Sequence, residues 1–290
     1  MRYEGTIYRP PSEAGSLLIQ ATVGCPHNKC TFCGLYKKKQ FRIRPLAEIK
    51  EDLDTARDTY GPYVQTLFFP DGNTIIMKTK DLAEIFSYAR KQFPHLQRIT
   101  IYGSARYILK KSPEDFRILK QAGLDRIHSG MESGDDEVLR LIQKGATAQQ
   151  TIDAGRRVKE AGIELSEYLI IGIGGVPLSE QHALGSARVL NAIDPDFIRL
   201  RTFIPARRTP LGQEYLQGTF ELPGPHQMLR ETRLILENLN TSGLFLSDHM
   251  SNLVNLNGKL PEDKAALLKL LDYALTLDEA RFQDNDSKDI

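Results

Sequence analysis

Cysteine is scarce in this chain and confined to one place: three residues in 290, all between Cys25 and Cys33. An odd, tightly clustered set is a poor disulfide framework, and Met1 to Pro11 holds no apolar run that would read as a secretory signal. Thiols placed this way are expected to be metal ligands in a reducing compartment, which makes cytoplasmic the expected location. A charge excess of one sign is also missing. Lys and Arg number 38 against 37 Asp and Glu, a formal net charge of +1, so no global field points to nucleic acid or to a membrane surface. No stretch approaches the roughly 18 consecutive apolar residues of a membrane span. The 41% hydrophobic and 26% charged residues are ordinary for a globular chain long enough to bury a core.

What the chain does have is a strand-then-helix rhythm. Strand-like runs begin near Leu17, Val64, Arg98, Arg126, Glu164 and Phe197. Between them, apolar residues recur at helical spacing: Leu46, Ile49, Leu53 and Ala56; Leu82, Ile85, Ala89 and Phe93; Phe116, Leu119 and Ala122; Ala183, Ala187, Leu190 and Ile193. Thr147 with Gln150 predicts a capping box, and Pro45 and Pro113 suit a first helical turn. The near-repeats Lys120–Leu124 and Lys159–Ile163 place Gly123 and Gly162 as helix C-caps before the next strand. Six βα units in a row predict a parallel sheet wound with helices.

Alternation along the strands chooses between an open sheet and a barrel. Ile99, Ile101, Gly103 and Ala105 share one face, and Arg98, Thr100, Tyr102, Ser104 and Arg106 the other. Arg126, His128, Gly130 and Glu132 form a similar polar face. Sheets covered on both sides read as continuous apolar runs, whereas one polar face suits a lumen that holds a polar ligand. The expected fold is therefore α/β, a partial (β/α)6 TIM-type barrel with a C-terminal helical extension. Residues 1–215 are expected to form the core with its lead-in, and 216–282 a helical extension packed on it. Residues 283–290 read as a polar, disordered tail.

The stretch Gly24-Cys25-Pro26-His27-Asn28-Lys29-Cys30-Thr31-Phe32-Cys33-Gly34 follows the first strand, where a barrel places catalytic loops. Three thiolates on one loop can hold three irons of a 4Fe–4S cube and leave the fourth open to a ligand; a purely electron-transferring ferredoxin supplies four. A structural zinc site of Cys25, His27, Cys30 and Cys33 is the alternative from the same residues. A simple electron carrier is another.

The loop resembles the cluster motif of the radical S-adenosylmethionine (SAM) superfamily, although its C-x4-C-x2-C spacing is one residue longer than the usual C-x3-C-x2-C. Further stretches follow in the family's order. Phe68-Phe69-Pro70-Asp71-Gly72-Asn73 stands where the family meets the SAM amino group. Gly130-Met131-Glu132-Ser133 resembles the signature of the branch with oxygen-independent coproporphyrinogen oxidases, methylthiotransferases and the Elongator catalytic subunit. Ile170-Ile171-Gly172-Ile173-Gly174-Gly175 resembles the glycine turn after the fifth strand. Thr209-Pro210-Leu211 resembles the family's "G-T-P-L", with Arg208 in place of the glycine.

The resemblance implies a 4Fe–4S cluster on Cys25, Cys30 and Cys33 that cleaves SAM reductively to a 5′-deoxyadenosyl radical. Asp71, Gly72 and Asn73 would lie near the methionine moiety, and Ser104 and Arg106 near its carboxylate. Glu132 would bond the amino group or ribose, or else pair with a lumen arginine. Gly172 and Gly174 would let backbone approach the adenine. Arg199, Arg201, Tyr168 and His249 are the candidate catalytic residues: the two arginines share a strand face and need an anionic partner, and His249 is expected to supply a titrating group at the barrel mouth. With every cysteine consumed, no auxiliary cluster on further cysteines is expected, which disfavours sulfur insertion; the barrel with only a short extension leads to the expectation of a small, anionic substrate. A radical SAM enzyme acting on RNA is the alternative, disfavoured because no aromatic-interleaved basic platform is evident. The basic run Lys37, Lys38, Lys39, Arg42 and Arg44 would either be a solvated face or dock an electron donor of the flavodoxin or ferredoxin type.

Overall fold

The computed structural model describes residues 1–282, so the expected tail at 283–290 lies outside the described residues. The strands are β1 (Leu17–Leu18), β2 (Thr22–Val23), β3 (Arg42–Ile43), β4 (Thr66–Phe69), β5 (Arg98–Tyr102), β6 (Arg126–Glu132), β7 (Glu164–Ile171), β8 (Phe197–Thr202), β9 (Leu244–Leu246) and β10 (Asn257–Lys259). The helices are α1 (Leu46–Tyr60), α2 (Thr79–Gln92), α3 (Ala105–Ile108), α4 (Pro113–Gln121), α5 (Asp136–Leu141), α6 (Ala148–Glu160), α7 (Gly175–Ile193), α8 (Pro210–Leu216), α9 (Pro225–Asn238) and α10 (Lys264–Thr276). The sheet is mostly parallel, and strand and helix alternate as the sequence pattern requires.

Two compact units share the chain. The first comprises Met1–Asn28, Tyr36–Ser129 and Asp153–Leu165; the second comprises Lys29–Leu35, Gly130–Ile152 and the chain from Ser166 onward. In the first, β1 pairs with β4, β4 with β5 and β5 with β6, all parallel, with Leu17 opposite Leu67 and Thr100 opposite Arg126. The helical faces read from spacing are the buried ones: Ile49, Leu53 and Ala56 on α1, and Leu82, Ile85 and Ala89 on α2. Pro113 opens α4 behind a capping box that spacing missed, in which Ser112 and Asp115 bond each other's backbone N–H. Pro45 differs from expectation: it is the N-cap of α1, one residue outside the first turn.

The polar strand face of this unit is paid off locally. Glu13, wholly buried, accepts bonds from Ser16 (2.6 Å) and Arg98 (3.2 Å) and lies 3.0 Å from His128 Nε2. Burial alone would raise its pKa, but the His128 and Ser16 hydrogen bonds and the charges of His128 and Arg98 hold the carboxyl at about 2. The alternation itself ends sooner than expected. Strand β5 stops at Tyr102 and α3 starts at Ala105, so Ser104 and Arg106 do not continue the strand face.

In the second unit β7 and β8 are parallel, with Tyr168 opposite Arg199 and Ile170 opposite Arg201. The C-terminal part is more than helical. Leu244–Leu246 adds a further parallel strand beside β8, and β10 closes on it antiparallel. The apolar Leu-Phe-Leu run, with Phe245 fully buried, is what drives it into the sheet. The Thr147–Gln150 capping box forms as read.

Candidate functional site

Cys25 belongs to the first unit, and Cys30 and Cys33 to the second; all three side chains are half-buried. On the Cys25 side, the antiparallel pairing of β2 with β3 brings the two ends of a long loop together. Gly24, just before the cysteine, is clamped from both sides: its N–H donates to Asp71 Oδ2 (2.8 Å), and its carbonyl accepts the Gly72 N–H (3.1 Å). Gln20 Nε2 donates to the same Asp71 oxygen at 2.9 Å. Asp71 is fully buried, and that burial pushes its carboxyl up against the opposing pull of these bonds and of Lys39, 3.9 Å away.

Gly72 then passes so close to the cysteine that a Cβ there would lie 2.8 Å from Cys25 Cβ and 3.1 Å from its Sγ. Next along the chain, Asn73 turns its Nδ2 to Cys25 Sγ at 3.6 Å and accepts the Ser104 N–H on Oδ1 at 2.6 Å. Ser104 is the N-cap of α3 without a side-chain capping bond, and Arg106, exposed, reaches His27 Nδ1 at 3.4 Å.

The other half of the loop is strapped into the second unit through Thr31. Its N–H donates to Ile142 O (3.0 Å), and its carbonyl accepts the Leu211 N–H (3.0 Å) at the start of α8. Beyond it lies a cavity of about 560 Å³, with Phe32, Cys33, Ile170, Arg201, Arg208 and His249 in its wall. Arg201 also stacks its guanidinium 5.4 Å from the Tyr168 ring centre. Arg199, on the same strand face but one turn of the pleat below, is buried 3.6 Å from Asp248 and does not reach the cavity. The arginines therefore divide: one has its carboxylate partner in the protein, and the other faces the cavity.

His249 departs from the titrating role expected of it. Its Nδ1 accepts the Ser251 N–H (3.2 Å), which puts the neutral ring's proton on Nε2. Burial first, and the Arg201 charge second, outweigh Asp248 and bring its pKa down to about 4. At neutral pH it is an uncharged Nε2–H donor.

Other expected residues stand elsewhere. Glu132, at a left-handed φ of 62°, pairs with Lys144 (2.8 Å), not with a lumen arginine. Gly172, at φ 80°, gives its N–H to Glu231 of α9 (2.7 Å), and a Cβ there would meet Met228 at 2.9 Å. A Cβ on Gly174 would meet Val138 and Leu178 at 3.2 Å. The close approach at these glycines is by helices of the protein, and neither lines the cavity. The basic run is an exposed face in part: Lys37, Lys38 and Arg42 are exposed, Lys39 is half-buried and Arg44 is buried. Arg44 is buried on Asp52 (2.7 Å), Arg42 binds Glu4, Lys39 holds the Glu4 and Thr6 carbonyls, and Lys37 holds Asn28 O (2.9 Å).

The motifs contain Phe32 and Arg208 without marking them as cavity residues, and Glu231 carries no motif at all. For Glu231 a signal existed: it falls on the apolar face of α9 with Met228, Thr232 and Ile235, where an acid needs partners. Among the described residues, no three His, Cys, Asp or Glu side chains converge as they would on a single metal ion.

The comparisons with known proteins follow the same lines. The heme chaperone HemW of Bacillus subtilis (strain 168) is 20% identical over 227 residues, covering 76% of this chain and 59% of its own length. An uncharacterised methyltransferase of Pyrococcus horikoshii is 26% identical over 197 residues, 67% of this chain and 40% of that protein. The chain thus spans about half the length of these two relatives. Among solved structures, coproporphyrinogen III oxidase (HemN) of Escherichia coli superposes with a TM-score of 0.59 at 17% identity, over 77% of this chain and 52% of that one. Methylornithine synthase (PylB) gives 0.54 at 16% identity, over 93% and 85%. These likenesses show the fold. Residues 19–185, more than half of the chain, match the Radical SAM superfamily. The chain belongs to that superfamily, whose cofactors are a 4Fe–4S cluster and S-adenosylmethionine.

Proposed function

We propose that this enzyme holds its cluster on Cys25, Cys30 and Cys33 and acts on a small anionic substrate beside Cys33. The observation that carries the reading is the 560 Å³ cavity against Cys33, apolar along Phe32, Ile170 and Phe203 and cationic at Arg201, Arg207 and Arg208. The cluster fits the donors: three thiols on one loop, a glycine that leaves room at Cys25, and an amide N–H turned to its sulfur. When bound, the cluster and SAM supply a one-electron reductive cleavage that yields methionine and a 5′-deoxyadenosyl radical able to take a hydrogen atom from the substrate.

The chain's own part is to bind, orient and exclude water. Asp71 fixes the backbone just before Cys25 by accepting the Gly24 N–H, and the Gly72 N–H holds the Gly24 carbonyl. Arg201 offers a fixed positive charge to a carboxylate or phosphate, with Tyr168 against its flat face to hold its direction. His249 offers Nε2–H to a polar group of the substrate. Residues 1–215 would form the core and 216–282 the extension that supplies His249. A low-potential donor of the flavodoxin or ferredoxin type would supply the electron.

The test is anaerobic reconstitution with iron and sulfide. The reduced protein should give a 4Fe–4S resonance that changes on addition of SAM, and should form 5′-deoxyadenosine. Cys25→Ala, Cys30→Ala and Cys33→Ala should each abolish that product. A colourless protein with stoichiometric zinc would overturn the assignment.

A further inference from the structure

We infer that Asn73 is a positioning residue for Cys25: its side-chain N–H binds the cysteine sulfur and raises the reduction potential of the cluster that the thiolate ligates. The inference rests on the proposed role of Cys25 and adds to it an element that tunes electron uptake.

Three observations fix the direction of the amide. Asn73 is buried, 8% exposed, so its polar atoms need partners inside the protein. Its Oδ1 accepts the Ser104 N–H at 2.6 Å. The NH2 group must then point the other way, where Cys25 Sγ lies 3.6 Å from Nδ2. A flipped amide would set N–H against N–H at Ser104 and oxygen against sulfur at Cys25, losing both contacts. The backbone holds the side chain there. Asn73 sits at φ 72°, a left-handed conformation that asparagine tolerates better than most residues. The nearby Gly72 N–H is spent on the Gly24 carbonyl at 3.1 Å and does not serve the sulfur.

The electrostatic consequence has one sign. A neutral thiol is a weak acceptor, but a thiolate is a strong one, and its bond from N–H is charge-assisted. Adding an electron to a cluster increases the negative charge on its sulfurs, so an N–H donor stabilises the reduced state more than the oxidised one. Hydrogen bonds to the sulfurs are among the recognised determinants of cluster potential. Asn73 therefore eases reduction by a distant donor, and it does so through Cys25.

The test compares reconstituted wild type with Asn73→Gly, which keeps the left-handed backbone and deletes the amide, and Asn73→Asp, which keeps the Oδ1 acceptor and deletes the donor. At a fixed ambient potential, the reduced-to-oxidised ratio should fall roughly three- to tenfold in Asn73→Gly, about 30 to 60 mV at 59 mV per tenfold for one electron. It should fall further in Asn73→Asp, where a negative charge replaces the donor. In protein labelled with 15N-asparagine, the reduced wild type should show a 15N hyperfine coupling with an exchangeable proton beside it. Equal potentials in all three proteins, or no such coupling in the wild type, would overturn the inference even if a variant fails to take up iron. A wild type that assembles no 4Fe–4S cluster would instead count against Cys25 as a ligand.

Discussion

Replacing Glu231 with Gln should make the protein more stable at alkaline pH, because this carboxyl is buried without a cation. Glu231 is 3% exposed. Its oxygens accept the Gly172 N–H and the Ser179 hydroxyl, and the nearest basic group is His182 Nε2 at 3.5 Å. That histidine offers no charge at neutral pH: burial brings it down to about 4, against a weaker opposing hydrogen bond to Ile170. Burial accordingly pushes Glu231 up to about 7 from an ordinary 4.5. Between those values the folded state keeps a proton that the unfolded chain releases. The group's stabilising contribution is complete below pH 4.5 and is lost as pH rises through 7. At about 1.36 kcal/mol per pH unit the loss is about 3 kcal/mol.

Glutamine keeps an acceptor for Gly172 and gives Ser179 a donor, yet cannot ionise. Thermal unfolding at pH 8 should therefore show Glu231→Gln melting higher by up to about 6 °C, at about 2 °C per kcal/mol for a large domain. The gap should close near pH 5. His182 contributes with the opposite sign, losing stability as pH falls below 6.5, so at pH 8 it is neutral in both proteins and does not enter the comparison. Identical pH dependence in the two proteins, or a wild type that is the more stable at pH 8, would refute the reasoning.

Gly72→Ala should load less than half the wild-type iron with an unchanged circular dichroism spectrum, since its Cβ would overlap the Cys25 side chain at 2.8 Å; wild-type iron content would show that the close approach is dispensable. His249→Ala should keep its cluster and uncoupled 5′-deoxyadenosine formation while substrate turnover falls at least about tenfold. With His249 brought down to about 4, the wild-type rate profile should show no His249 step between pH 5.5 and 8. A step near 6.5 that vanishes in the variant would contradict that.

The order of strands and helices was legible because local signals agreed with one another: helical spacing, the Thr147 box, and glycines before strands. The cysteine loop was legible because three thiols within one turn of chain have few uses. Contacts that join residues far apart in sequence were not. Nothing in Gly172 announces Glu231, nor in Glu132 announces Lys144, because spacing reports which face a side chain takes and not what it meets there. The alternation rule placed Arg199 and Arg201 together, yet one is consumed by Asp248 and the other faces a cavity. The basic run divides for a related reason. Lys37, Lys38 and Arg42 do stand at the surface, but Arg44 is buried on Asp52, and Lys37 and Lys39 hold loop carbonyls.

The two backbone bonds of Thr31 bear on how the protein matures. Small metal domains often fold only when the ion arrives, because nothing else holds the ligand loop in shape. Here Thr31, next to Cys30, is stitched to the end of α5 and the start of α8 by main-chain hydrogen bonds that involve no thiol. If the cysteines hold the cluster as proposed, these bonds predict that this half of the loop keeps its shape without iron, and the Thr31 and Leu211 amides should exchange with solvent at the same rate before and after reconstitution.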